Sequence, residues 1–175
     1  MCATASGPPL PHSRVPLAEL PPGIAVPAGG PLNLYRALAN QPDILAAWRE
    51  FASTLREKCT LPRDLRELLI VRLAQLFGSE YERVHHLAMA SAAGVPDVKL
   101  EDLARWRNSE DFSGAERAAL AFGEALFDGE IPDAVAAEAV RTFSAAELVE
   151  LTVTAGFYSM VPRVLDALQV PLETD

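Results

Sequence analysis

The chain has 175 residues, half of them hydrophobic, and a formal net charge of −9. That is enough material for one domain with a real core and not comfortably for two, and the acidic balance without any basic run excludes nucleic acid and anionic membrane surfaces as partners. Two cysteines, Cys2 and Cys59, make no disulfide framework, and neither a leader pattern nor the roughly 20 apolar residues of a membrane span is visible, so a reducing, cytoplasmic setting is expected.

Residues 1–32 hold eight of the fourteen prolines and show no sustained periodicity. They are expected to form an extended arm, without fixed structure to about residue 14; its stretches 15–20 and 24–26 are apolar enough to lie along the body or a neighbouring subunit, but a plain ordered tail is the default reading. From Asn33 onward the pattern is helical, with no alternating strand pattern. A short helix is expected over 34–38. A second starts at Pro42, where Ile44, Leu45, Trp48, Phe51, Ala52 and Leu55 keep three-and-four spacing. Thr60 is expected to N-cap a third, with Pro62 in its first turn and Gly78 at its end. Gly94 closes a fourth helix that carries adjacent histidines.

A segment opened by Pro96 runs to Trp106, and Ser113 with Glu116 makes a capping box for the next helix. Residues 132–142 form another. Ser144 and Glu147 cap the last, which Gly156 and Pro162 are expected to kink or break. The fold class is all-α: a bundle of about seven or eight helices over 33–175, behind the proline-rich arm. Its apolar content exceeds what one small bundle needs, which points to subunit contacts.

The chemistry concentrates where the third helix meets the fourth. On the fourth, Ser79, Glu82, Arg83 and His86 share one stripe, because separations of three, four and seven return to one face. Tyr81, His85 and Met89 project from another side, so one histidine faces the site and the other packs or pairs. Glu67, on the third helix among Leu65, Leu68, Leu69, Leu73, Leu76 and Phe77, is a desolvated, poised acid or base unless Arg63, Arg66 or a histidine compensates it.

The spacing Glu67, eleven residues, Ser79, two residues, Glu82, three residues, His86 resembles the carboxymuconolactone decarboxylase family, which includes the AhpD alkylhydroperoxidases. The peroxidase branch carries Cys-x-x-Cys where this chain has Ser79 and Glu82, so the chain looks like the cysteine-free members, and dithiol peroxidase chemistry is out of reach. The resemblance extends to Gly156-Phe157-Tyr158-Ser159-Met160 and to residues 168–173. It implies an AhpD-like bundle, a homo-oligomer (trimer or hexamer), and lactone decarboxylation as the best-known activity.

Each candidate has an ordinary structural role beside its functional one. Arg83, which departs from the aromatic expected in many relatives, is either ion-paired or a clamp on a substrate carboxylate. Ser79 is an N-cap more readily than a nucleophile, and Tyr81, Trp48, Tyr158 and Met160 are core residues by default. Glu82-x-x-His85 matches half of a di-iron site, but no second Glu-x-x-His exists, which leaves a mononuclear site from Glu67, Glu82 and one histidine as the metal alternative.

The expected protein is therefore a cofactor-independent and metal-free acid/base lyase acting on a small oxygenated acid, lactone or enolisable carbonyl compound. Glu67, Glu82 and His86 are its catalytic candidates, and Ser79, Tyr81, Arg83 and His85 its substrate-binding ones. Isomerisation, dehydration and lactone opening need the same groups. A non-catalytic oligomeric binding or scaffold protein and a metal-dependent lyase or oxygenase are the alternatives.

Overall fold

A computed structural model describes residues 13–24, 26 and 30–173. The expectations for residues 1–12, Cys2 included, and for Ala25 lie outside them. The described residues form eight α-helices and one 3-10 segment, with no strand. In order these are α1 (Asn33–Leu38), α2 (Pro42–Glu57), α3 (Arg63–Phe77), α4 (Glu80–Ala92), α5 (Asp97–Asp102), the 3-10 turn Leu103–Asn108, α6 (Gly114–Asp128), α7 (Asp133–Thr142) and α8 (Ala145–Leu168).

Two compact units are distinguished, Met1–Arg49 with Val164–Asp175, and Glu50–Arg163. In the first, the arm lies on its own helical neighbours. Arg14 donates from its backbone to Leu168 O at 2.8 Å and from Nη1 to Ala167 O at 2.9 Å, which caps the end of α8. Asn40 Nδ2 reaches Pro16 O at 2.7 Å, and the Glu173 carboxylate accepts from Asn33 N at the start of α1.

The second unit is built on α3. Leu65, Leu68, Leu69, Ile70, Val71, Leu73 and Ala74 are all buried, so this helix is apolar nearly all round and runs through the middle of the packing. Leu68 and Val71 share one cluster with Ala90, Val95, Leu103, Trp106, Phe112 and Leu120. Gly123 of α6 lets the backbone come close to Leu69, since a Cβ there would stand 2.3 Å from Leu69 Cδ1.

Gly78 ends α3 with φ 63°, a left-handed conformation that glycine adopts without strain, and its N–H meets the orphan carbonyls of Ala74 and Gln75. Only Gly78 and Ser79 separate α3 from α4, so the two helices pack as an antiparallel pair. The capping boxes at Ser113 and Ser144 form as the sequence predicts.

Two local expectations are corrected. Thr60 does not cap α3. Its N–H and hydroxyl, together with the N–H of Leu61, are taken by the Glu150 carboxylate, and Pro62 stands at the N-cap without a side-chain bond. Nor do Gly156 and Pro162 break the last helix, for α8 continues from Ala145 to Leu168. Leu151, Ala155, Tyr158, Val161 and Leu165 keep helical spacing and are buried on both sides of Pro162. Burying them outweighs the ~3 kcal/mol that proline costs in a helix interior. Among the described residues no helix is long and apolar enough to cross a membrane.

Candidate functional site

Ser79 caps α4, its Oγ accepting from Glu82 N at 3.4 Å, and this fixes the phase of the first turn. With that phase Glu82 and His86, one turn apart, both turn inward to α3. Glu67, Glu82 and His86 are 3%, 5% and 6% exposed, three titratable side chains in a largely apolar interior. His86 Nδ1 lies 2.8 Å from Glu67 Oε2, and its Nε2 lies 3.7 Å from Glu82 Oε2. The imidazole thus sits between two carboxyl groups from two helices, Glu67 accepting from Nδ1–H. Arg63 Nε approaches the other Glu67 oxygen at 3.9 Å.

Of the compensating groups named for Glu67, His86 and Arg63 are therefore in place. Arg66 is turned away. Its buried guanidinium donates to the carbonyls of Leu55, Arg56 and Leu61 and ties the end of α2 to the start of α3.

Glu82 is different in kind, because its buried Oε2 has no hydrogen-bond partner. Burial pushes its carboxyl above the ordinary glutamate value; His86 and His85 work against that, and Glu67 adds to it. The sign for stability follows. The folded chain holds this proton more tightly than the unfolded one, so the contribution is complete below the ordinary carboxylate value and is lost as pH rises through the raised folded value. Glu82→Gln is expected to remove that loss. Unfolding free energy measured by denaturant titration at several pH values will fall across this window in the wild type relative to the variant; parallel curves would refute it.

The remaining sequence candidates divide. His85 Nδ1–H donates to Tyr81 O at 2.8 Å and its ring stacks on Tyr81 at 4.5 Å, so the adjacent histidines part, one to the carboxylates and one to this pair. Arg83 is in a bidentate pair with Glu80, Nε to Oε2 at 2.7 Å and Nη2 to Oε1 at 2.6 Å, with 41% of its side chain exposed. The geometry brings together Glu67, Glu82 and His86 and leaves Arg83 in its ordinary ion-paired role.

Among the described residues no group of three or more His, Cys, Asp and Glu side chains is arranged to hold a metal ion. The direct 2.8 Å contact between His86 and Glu67 leaves no room for an ion between them, which needs two bonds of about 2 Å.

Sequence reasoning undervalued one neighbour and missed another. The Tyr158 ring of α8 meets the His86 ring edge-to-face, centroids 4.9 Å apart at 85°. Its hydroxyl lies within electrostatic reach of the Arg56 side chain of α2 and of Glu82 and Glu67. The segment around Gly156 was the available signal for Tyr158; nothing local marks Arg56.

Residues 42–125 match the model of the carboxymuconolactone decarboxylase family. The protein YnjA of Escherichia coli, itself uncharacterised, is 31% identical over 121 residues, which are 67% of this chain and 66% of that protein. The chain belongs to the carboxymuconolactone decarboxylase family.

It spans just under two thirds of the length of that curated relative. The family's AhpD-like helical fold is recovered in solved structures. An AhpD-core, peroxidase-related protein from Ralstonia eutropha superposes with a TM-score of 0.76 at 20% identity, covering 94% of each chain. The debrominase Bmp8, in complex with 2,3,4-tribromopyrrole, gives 0.76 at 20% identity over 83% of this chain and 79% of its own. At that identity these likenesses concern the fold alone. Within the carboxymuconolactone decarboxylase frame, this member carries Ser79 as a helix cap and Glu82 as a buried carboxyl where the peroxidase pattern has its two cysteines.

Proposed function

We propose that this member of the family is a cofactor-independent acid/base enzyme acting on a small oxygenated acid, lactone or enolisable carbonyl compound, with decarboxylation as its leading reaction. One observation carries the reading. With Nδ1 committed to Glu67, His86 presents Nε2 toward a buried Glu82 oxygen that has no partner, 3.7 Å away, so a base and an acid stand side by side with hydrogen-bonding capacity unspent.

Glu67 orients the imidazole through Nδ1, and His86 Nε2 takes or returns the proton. Glu82, whose burial favours the protonated form, is the acid. In decarboxylation the carbon–carboxylate bond breaks, its electron pair passes into the adjoining carbonyl as an enolate, and the proton of Glu82 is delivered to carbon. Isomerisation, dehydration and lactone opening use the same proton transfers. The homo-oligomer implied by the family resemblance belongs to this reading. So does the small-molecule partner, and the reading calls for no metal or organic cofactor.

The test is turnover of a panel of carboxylated lactones by the wild type and by His86→Ala. Loss of turnover in the variant, with helicity retained by circular dichroism, is expected. Equal turnover would remove the mechanism.

A further inference from the structure

Proton transfer at carbon leaves a second requirement, a donor for the negative charge that builds on the substrate oxygen. The acid/base trio supplies none to spare. Glu67 is an acceptor held by His86 and Arg63, the proton of Glu82 goes to carbon, and the Ser79 hydroxyl serves the start of α4. Arg83 is occupied by Glu80.

Tyr158 meets the requirement by its contacts. Its ring rests on His86, and its hydroxyl is placed where Glu82, Glu67 and Arg56 all act on it. A guanidinium can only donate, so toward Arg56 the phenol oxygen can act only as an acceptor. Arg56 therefore makes no claim on the O–H hydrogen of Tyr158, and a cation near the phenol oxygen makes that O–H a stronger donor.

We infer that Tyr158 is a further catalytic residue, donating a hydrogen bond to the substrate oxygen that becomes the enolate, and that Arg56 is the positioning residue that polarises it. No proton is transferred in this step. The O–H of Tyr158 shortens its bond to the oxygen as charge develops there, while the proton at carbon is handled by His86 and Glu82. Burial first of all, against the opposing pull of Arg56, raises the Tyr158 hydroxyl above the ordinary tyrosine value, so it stays protonated wherever the trio works. This inference rests on the acid/base reading and deepens it.

Substituted phenols test it without turnover, since a phenolate oxygen has the charge of an enolate. Binding of 4-nitrophenol and of less acidic phenols is followed by absorbance, which separates bound phenolate from bound phenol. The wild type is expected to prefer phenolate. Tyr158→Phe, which removes one oxygen and keeps the ring on His86, is expected to weaken phenolate binding about 10- to 100-fold and neutral phenol little. Arg56→Gln is expected to shift the same preference by a smaller factor.

The inference is overturned if the wild type shows no preference for phenolate, if Tyr158→Phe binds phenolate as tightly as the wild type, or if the variant weakens both forms alike. Phenolate preference in a protein whose lactone turnover does not depend on His86 would sink the acid/base reading alone. Dependence on His86 without the preference would sink Tyr158 alone.

Discussion

Glu67→Gln is expected to lower turnover about 10⁴-fold, on whichever lactone the wild type accepts, without unfolding the protein. The size comes from what an amide does to a histidine that a carboxylate had oriented. Glu67 uses Oε2 for His86 Nδ1 and turns Oε1 toward Arg63. A glutamine of the same shape keeps its oxygen toward the guanidinium, and its NH₂ then faces Nδ1. Nδ1 must now accept, the ring proton moves to Nε2, and the nitrogen beside Glu82 ceases to be a base. Measuring kcat together with the His86 tautomer by nitrogen NMR checks both halves. A variant within tenfold of wild type, or one with the proton still on Nδ1, would count against the relay.

The second large effect lies away from the site. Glu124 of α6 accepts from Arg72 Nε at 2.6 Å and Trp106 Nε1 at 2.9 Å, and pairs through its other oxygen with Arg107. Arg72 donates to Gln75 as well, and the Arg107 guanidinium lies 4.4 Å over the Trp106 ring. One carboxylate thus joins α3, the 3-10 turn and α6. Burial alone would raise it, but the bonds from Trp106, Arg72 and Arg107 prevail and hold it below the ordinary glutamate value.

Glu124→Leu leaves Arg72 and the indole N–H buried without their acceptor. The expected cost is about 3 kcal/mol, the lower end of the range for a broken buried pair because Arg107 is mostly exposed. The sign with pH is opposite to that of Glu82. The native carboxylate stabilises above the ordinary glutamate value, and that stability is lost as pH falls through its lowered folded value. Denaturant unfolding of the two proteins at neutral and acid pH measures this, and a difference below 1 kcal/mol at neutral pH would show that the network is not holding these elements.

Much of this is local, and local features are legible. A capping box needs only residues three apart, so Ser113 with Glu116 and Ser144 with Glu147 could be read directly. Gly78 followed by Ser79 similarly announces a left-handed stop and a new cap. The errors came where a distant residue competes for a local group. Thr60 has the chemistry of a cap, yet Glu150, 90 residues on, takes its donors. Pro162 has the chemistry of a breaker, yet the burial of Tyr158, Val161 and Leu165 carries the helix through it.

The sequence by itself determined the helical class, the two-residue turn between α3 and α4 and the inward stripe of Glu82 and His86, because a period of 3.6 residues and the conformational limits of glycine, proline and short polar caps act over a few positions. Tertiary structure alone decided that His86 and Arg63 rather than Arg66 compensate Glu67, that Glu82 is left with an unpartnered oxygen, that Arg83 turns to Glu80, and that Tyr158 and Arg56 arrive from helices α8 and α2. Those outcomes depend on which side chains fill a common volume at interior packing density, and residues 100 positions apart carry no mark of that in their order.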